Sequence, residues 1–331
     1  MSLIKTHTHT HTHTTMVLGS SWLDLDDHPF RSCGLVTFGI QFCGFLFAYW
    51  LQTETFYDVL GSGNFLLLAL WTYSSSSSSS SSTSKCLIGT ALFCASRAWL
   101  LIFLAWRAHD RKGDTRFDGV KETAPLFLLY WMVQGIWVFL VSLSIIHINT
   151  TAATTEVVAT TSFQEKLWMA MFALAIGLEI VADVQKTWWI KGGRTGGFCS
   201  FGIWKWSRHP NYFAEILQWW SCYFMAFSGS SSSSGGFGSS SSSSWVCLLS
   251  PLFTMWILLF AGGTGLVNAE GQGLARYYKS KEYAKPYGDY RAQTSILVPL
   301  PNALYSTLPL WVKRIVLFEW ERYEYKETKL Q

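Results

Sequence analysis

The sequence predicts an all-α, polytopic membrane protein, with about seven transmembrane helices and a cytoplasmic C-terminal segment. Three observations carry that reading. Half of the 331 residues are hydrophobic and only 14% are charged, where a soluble domain carries about 25% charged residues. Apolar runs recur at 33–51, 59–73, 85–106, 124–147, 166–190, 212–228 and 245–268. Basic residues are confined to alternate loops, which sets the number and direction of the crossings.

Residues 1–32 come first and lack a leading apolar stretch. They hold a His-Thr alternation at His7, His9, His11 and His13 and an acidic patch at Asp24, Asp26 and Asp27. This segment reads as disordered low-complexity sequence; loose metal binding is the alternative for any His-rich tract. A span needs roughly 20 apolar residues, with ~17 as the lower limit. The first, third, fourth, fifth and seventh runs meet that length, while the second and sixth are short.

Loop charge supports both short runs. Residues 107–123 carry Arg107, Arg111, Lys112, Arg116 and Lys121, and 191–211 carry Lys191, Arg194, Lys205 and Arg208. Ten more Lys or Arg lie beyond residue 268, whereas 74–84, 148–165 and 229–244 contain none. Seven spans with a lumenal N-terminus put every basic loop on the cytoplasmic side; dropping either short span breaks the alternation. The chain thus divides into the low-complexity segment 1–32, a membrane domain 33–268 and a cytoplasmic segment 269–331. Serine-rich insertions at 74–84 and 229–244 sit on the lumenal face, since such tracts cannot bury enough apolar surface to order themselves. A glycosylation sequon, Asn149-Thr150-Thr151, falls at a span end. The 7 cysteines show no paired spacing and read as small apolar packing residues.

Polar residues within the spans need a reason, because a mid-bilayer charge costs ~2.5–3.5 kcal/mol even on the lenient insertion scale. Arg97 lies in the third span and Gln134 in the fourth. Glu179, Asp183 and Lys186 form one helical stripe in the fifth. One reading pairs them as internal glue, Glu179 with Arg97 and Asp183 with Lys186, with Lys186 also free to snorkel. The other rests on position: the stripe ends where "KWSRHPNYFAE" (205–215) begins. Pro210 suits the first turn of a helix, where its missing N–H has no partner to lose. Arg208 and His209 then sit at a helix N-terminus, which favours an anion. An arginine fork holds phosphate there, beside Asn211 and Tyr212. A basic juxtamembrane turn is the plainer alternative. No dinucleotide glycine fingerprint, Walker loop or zinc signature occurs.

"GIWKWSRHPNYFAEILQWW" (202–220), "LEIVADVQK" (178–186), "RAHDRKGDTRFDGVK" (107–121) and "EYAKPYGDYRAQTSILVPLP" (282–301) together resemble the DUF1295 family. That family is grouped with steroid 5α-reductase-like membrane proteins. The resemblance covers about residues 85–301. It implies an NADPH pocket at Asp183, Lys186, Arg208, His209, Asn211 and Tyr212, with Tyr287, Tyr290 and Arg291 from the late Tyr/Arg cluster. Glu215 stands where sterol reductases often have Asp. The implied activity is reduction of a C=C bond in a sterol-like or isoprenoid enone by NAD(P)H. Tyr212, Tyr290 or Glu179 would donate the proton, or the Glu179 and Asp183 stripe would instead shape the cavity and hold Arg97; Arg97 and Gln134 are expected in a substrate-contacting or structural role. Relatives suggest the endoplasmic reticulum. Expected partners are the lipid bilayer and a hydrophobic substrate, with no nucleic acid and no metal. Two alternatives stay open. One is an S-adenosylmethionine-dependent methyltransferase of the isoprenylcysteine type, which shares the R-H-P-x-Y start but typically carries paired acids where this chain has Glu270 alone. The other is a non-catalytic lipid-binding protein. The tail 302–331, mixed in charge, is expected on the membrane surface.

Overall fold

The computed structural model describes residues 25, 28–78, 84–111, 117–151, 161–195, 197–228, 242–262 and 264–325. The His-Thr alternation, the three acidic residues after it, residues 79–83 of the first serine tract and most of the second lie outside the described residues. Among those described, helix dominates and no β-strand occurs; Ser207 and Ser295 make an isolated bridge.

Seven long helices form the bundle: α1 Pro29–Leu51, α2 Tyr57–Ser78, α3 Ser84–Arg111, α4 Ala124–Thr151, α5 Phe163–Lys191, α6 Pro210–Phe227 and α7 Ser242–Leu259. Four of them, α1, α3, α4 and α5, are long and apolar enough to cross a membrane. This is an integral membrane protein. The 18 residues of α6 rise about 27 Å at ~1.5 Å each, close to the ~30 Å hydrocarbon core.

Helix ends obey local chemistry. Pro29 opens α1, and Gln52 closes it in the left-handed region at φ 51°. Ser162 and Glu165 make a reciprocal capping box at the start of α5, satisfying two otherwise orphaned N–H groups. Pro210 starts α6 as its sequence predicts. Two boundaries differ from the apolar pattern. Serines 74–78 continue α2 instead of leaving it, and Ser76 is buried there. The last apolar run ends as a helix at Leu259; the chain turns at 260–262 and re-forms a five-residue helix, α8, at Gly265–Ala269.

The core packs Phe65 of α2, Phe93 of α3, Ile145 of α4, Phe172 of α5 and Trp219 of α6 into one cluster. A second cluster joins α1, α2 and α4 around Trp131. Gln134 belongs beside this second cluster. Its Nε2 donates to the Tyr57 carbonyl at 3.1 Å, and the absent side chain of Gly61 makes room for its amide, which a Cβ would approach to 2.5 Å.

Asn149 ties three helices together. Its Nδ2 donates to the Ala69 carbonyl at 3.2 Å and to Thr72 at 3.0 Å, while Oδ1 accepts from Thr90 at 3.0 Å. The side chain is fully buried. The sequon nitrogen is therefore spent inside the bundle, and Asn149→Ala is expected to remove no glycan, with gel mobility unchanged from wild type. It should cost about 1–3 kcal/mol of stability, the scale for orphaning buried partners, read by thermal unfolding in detergent.

Candidate functional site

The site forms where α5 ends and α6 begins. A 3₁₀ turn, Gly202–Lys205, links them and is fastened to α5 by side chains. Gln185 accepts from the Ile203 N–H at 3.0 Å, and Trp204 Nε1 donates to the Ala182 carbonyl at 3.0 Å. Gly202 adopts φ 58°, and a Cβ there would lie 2.3 Å from the Gln185 amide. Fixing Trp204 in this way sets its ring under Lys186, whose Nζ lies 4.5 Å from the Trp204 centroid and 4.6 Å from that of Trp189.

The next residues are held by the C-terminal segment. Ser207 donates to the Leu297 carbonyl at 2.7 Å and the Arg208 N–H to that of Ser295 at 2.8 Å. The buried Arg208 guanidinium then joins three parts of the chain. Nη1 meets Glu270 at 3.0 Å, and Nη2 meets both oxygens of Glu319 at 2.7 and 2.6 Å. Glu319 also accepts from the Ile296 N–H and the Tyr305 hydroxyl, each at 2.8 Å. Glu270 bonds His209 Nε2 at 2.8 Å and lies 3.7 Å from Arg291. The anion expected beside Arg208 is thus supplied by the protein itself, and its fork is already engaged.

This crowding governs the electrostatics. Burial opposes ionisation of Glu270 most strongly of any one cause, but Arg208, His209 and Arg291 together outweigh it and bring the carboxyl down to about 2. Arg208 is pushed further up by its two carboxylates despite its own burial. Burial lowers His209 more than Glu270 raises it. His209 is therefore neutral at pH 7, with Nε2–H donating to Glu270.

Beside this network lies a cavity of about 220 Å³. It is lined by Lys186, Arg208, His209, Asn211, Tyr212, Tyr287 and Tyr290, together with Phe198, Trp204, Glu270, Arg276 and Tyr277. Tyr212 stacks on His209 at 5.2 Å and 12°, and Tyr277 on Tyr287 at 4.1 Å. The Tyr290 hydroxyl donates to the Trp204 carbonyl at 2.5 Å. Asp183 hydrogen-bonds Asn211 from the membrane side and accepts from Trp99 at 3.3 Å. Arg291 stands behind the wall, donating to Tyr278 at 2.9 Å.

A separate polar layer crosses the bundle deeper in. Arg97 Nη2 meets Glu215 at 3.0 and 3.2 Å, and its guanidinium lies 4.6 Å over Trp219. Gln218 donates to Glu179 at 2.6 Å and accepts from Ser96 at 2.5 Å, and Trp219 donates to Glu215 at 2.9 Å. The two pairings expected as glue are corrected: Arg97 takes Glu215 of α6 in place of Glu179, and Asp183 takes Trp99 and Asn211 in place of Lys186. Glu179, Glu215 and Arg97 do not line the cavity, and Gln134 is remote from both layers. Among the described residues no group of His, Cys, Asp and Glu is placed to hold a metal ion.

The sequence profile of a family described as a protein of unknown function, DUF1295, matches residues 44–294, well over half of the chain. The protein belongs to the DUF1295 family. No curated protein matches the chain, and no solved structure does. In this DUF1295 protein the match stops just before Ser295, so Glu319 lies outside it although it completes the Arg208 network. Reasoning from sequence missed Glu319, Arg276, Trp204 and Tyr277. Glu270 stood out only as a single acid after the last span. Glu319 offered no signal, being one of several acids in "FEWERYEYKE".

Proposed function

We propose that this DUF1295 membrane protein is an NAD(P)H-dependent reductase of a C=C bond in a sterol-like or isoprenoid enone. The observation that carries the reading is the cavity itself: aromatic faces and cations gathered at one end of an apolar bundle, within reach of the bilayer. At about 220 Å³ it is smaller than the ~300–1,000 Å³ of a whole-ligand pocket. It suits the nicotinamide end of a dinucleotide. A larger groove of about 730 Å³ shares Arg208 as a wall and offers Lys279 and Lys313.

When bound, the cofactor supplies hydride to a polarised alkene. The chain's residues bind and orient. Trp204, Phe198 and Tyr277 present flat faces; Lys186 and Arg276 are the cations for phosphate, since Arg208 is occupied. Tyr212 lines the cavity with its ring held by His209, and it is the proton donor of choice. Tyr290 is less suited, because its hydroxyl is already donated to the Trp204 carbonyl. Proximity to a lipid-dissolved enone, not a strong acid, then supplies most of the advantage. The cytoplasmic face of the endoplasmic reticulum is the proposed setting.

The test is ligand-dependent thermal stabilisation of detergent-purified protein with NADPH, NADH or S-adenosylmethionine. A ligand at 100 times its Kd stabilises by ~2.7 kcal/mol. NADPH or NADH should raise the melting temperature, and Lys186→Met with Arg276→Ala should weaken that by at least tenfold in apparent affinity. A rise with S-adenosylmethionine alone would replace the reductase by a methyltransferase; no rise with any ligand would favour a non-catalytic lipid binder.

A further inference from the structure

The C-terminal segment carries an apolar face that the site does not use. Helix α11, Asn302–Thr307, and helix α12, Leu310–Ile315, come after the Ser295 bridge. Leu310, Trp311, Ile315 and Val316 are 58, 64, 72 and 54% exposed. On α12 positions 310, 311, 314 and 315 share one side. The one cation on that side, Arg314, is drawn to Glu321 at 2.9 Å and Glu324 at 4.0 Å, so its stem lies along apolar neighbours while its head is neutralised. Lys313 faces elsewhere, with Nζ 4.3 Å from the Tyr305 ring centroid.

Contacts of Trp320, Arg322 and Tyr323 with α7 fix the level of this face in the bundle. Trp320 packs on Phe260 at 4.9 Å, Arg322 donates to the Phe260 carbonyl at 3.3 Å, and the Tyr323 hydroxyl donates to the Leu259 carbonyl. Those partners, Leu259 and the residue after it, mark the C-terminal end of the apolar helix α7. Trp256 and Phe260 are themselves exposed, as lipid-facing side chains are. The apolar strip therefore runs from α7 through Phe260 and Trp320 to Ile315, Trp311 and Leu310. A tryptophan at that depth, on the side of a short helix whose one cation is tethered, has the composition of a membrane–water boundary.

We infer that α12 lies in the bilayer interface, with Leu310, Trp311 and Ile315 inserted among lipid headgroups and upper acyl chains. The segment that presents Glu319 to Arg208 is then held from two sides, by the ion pair and by lipid. The inference is independent of the reductase reading, because it concerns a surface and not the cavity.

The experiment uses the full chain in phosphatidylcholine vesicles, with an environment-sensitive fluorescent amino acid at Ile315 or, separately, at the exposed Lys281 in the polar turn before α10 (Ala284–Gln293). Both positions are on the surface, so folding is preserved, and unchanged melting of each labelled protein checks this. Lipids carrying a spin label high on the acyl chain should quench the probe at 315 several-fold more than aqueous iodide does. The probe at 281 should show the reverse order. Equal iodide quenching at both positions overturns the inference by placing α12 in water. Protection at 315 from both quenchers, with energy transfer between differently labelled chains, overturns it by placing a second copy there.

Discussion

Arg208→Ala is expected to cost about 3–5 kcal/mol, the scale for breaking a buried ion pair from one side, and to prevent the polar end of the bundle from closing. The reason is the pair of carboxylates left behind. Glu270 is 1% exposed and would keep its charge with only His209, neutral at pH 7, and a distant Arg291 beside it. Glu319 would lose both of its arginine bonds while still held by Ile296 and Tyr305. The triple variant Arg208→Met, Glu270→Gln, Glu319→Gln should recover most of the loss, because no uncompensated charge is left inside. Arg208→Lys should not, since one ammonium cannot reach two carboxylates on opposite sides. Thermal unfolding of the purified proteins in detergent measures all three; equal melting of wild type and Arg208→Ala would remove the network from any role in folding. The same network predicts an acid limit. The Glu270 carboxyl falls from an ordinary 4.5 to about 2 in the fold. Its contribution, about 3 kcal/mol at ~1.36 kcal/mol per unit, is therefore fully present above pH 4.5 and is lost as pH falls toward 2.

What the sequence revealed and what it hid have separable causes. Pro210 marks a helix start because the constraint is covalent and local, and α6 begins there. Glu179, Asp183 and Lys186 share a face because helical spacing alone decides it. Partners are another matter. Spacing on α5 says which way Glu179 points, not which residue of α6 reaches Arg97 first. That is settled by how α6 packs along α5, and it gives Arg97 to Glu215. The seventh run shows a similar limit: 245–268 is apolar throughout, yet its helix stops at Leu259, since the turn at 260–262 lets Tyr323 and Arg322 of the tail bond the last carbonyls. Lys186, Arg208, His209, Asn211 and Tyr212 are close in sequence and were legible together, although Phe198 and Trp204 between them were not. Glu319 comes from a distant segment and was not.

Arg97→Met is expected to lower stability by about 3–5 kcal/mol, and the double variant Arg97→Met, Glu215→Gln to restore most of it. Arg97 is fully buried and its Nη1 finds no partner, so it is an imperfectly compensated charge in the middle of the bundle. It persists because its other donors serve Ser96 and Glu215 while its face rests on Trp219. Removing it alone strands the largely buried Glu215, with the Trp219 indole as the remaining donor. Arg97→Lys should fail to rescue, because an ammonium cannot both bond Ser96 and Glu215 in one plane and cover an indole. Detergent melts of wild type, the two single variants and the double variant form a double-mutant cycle. A coupling near zero would mean that Arg97 and Glu215 are neighbours without being partners. A coupling of several kcal/mol would make this layer a rigid floor beneath the cavity, one helical turn below Asn211 on α6, fixing the height at which a lipid substrate meets the polar end.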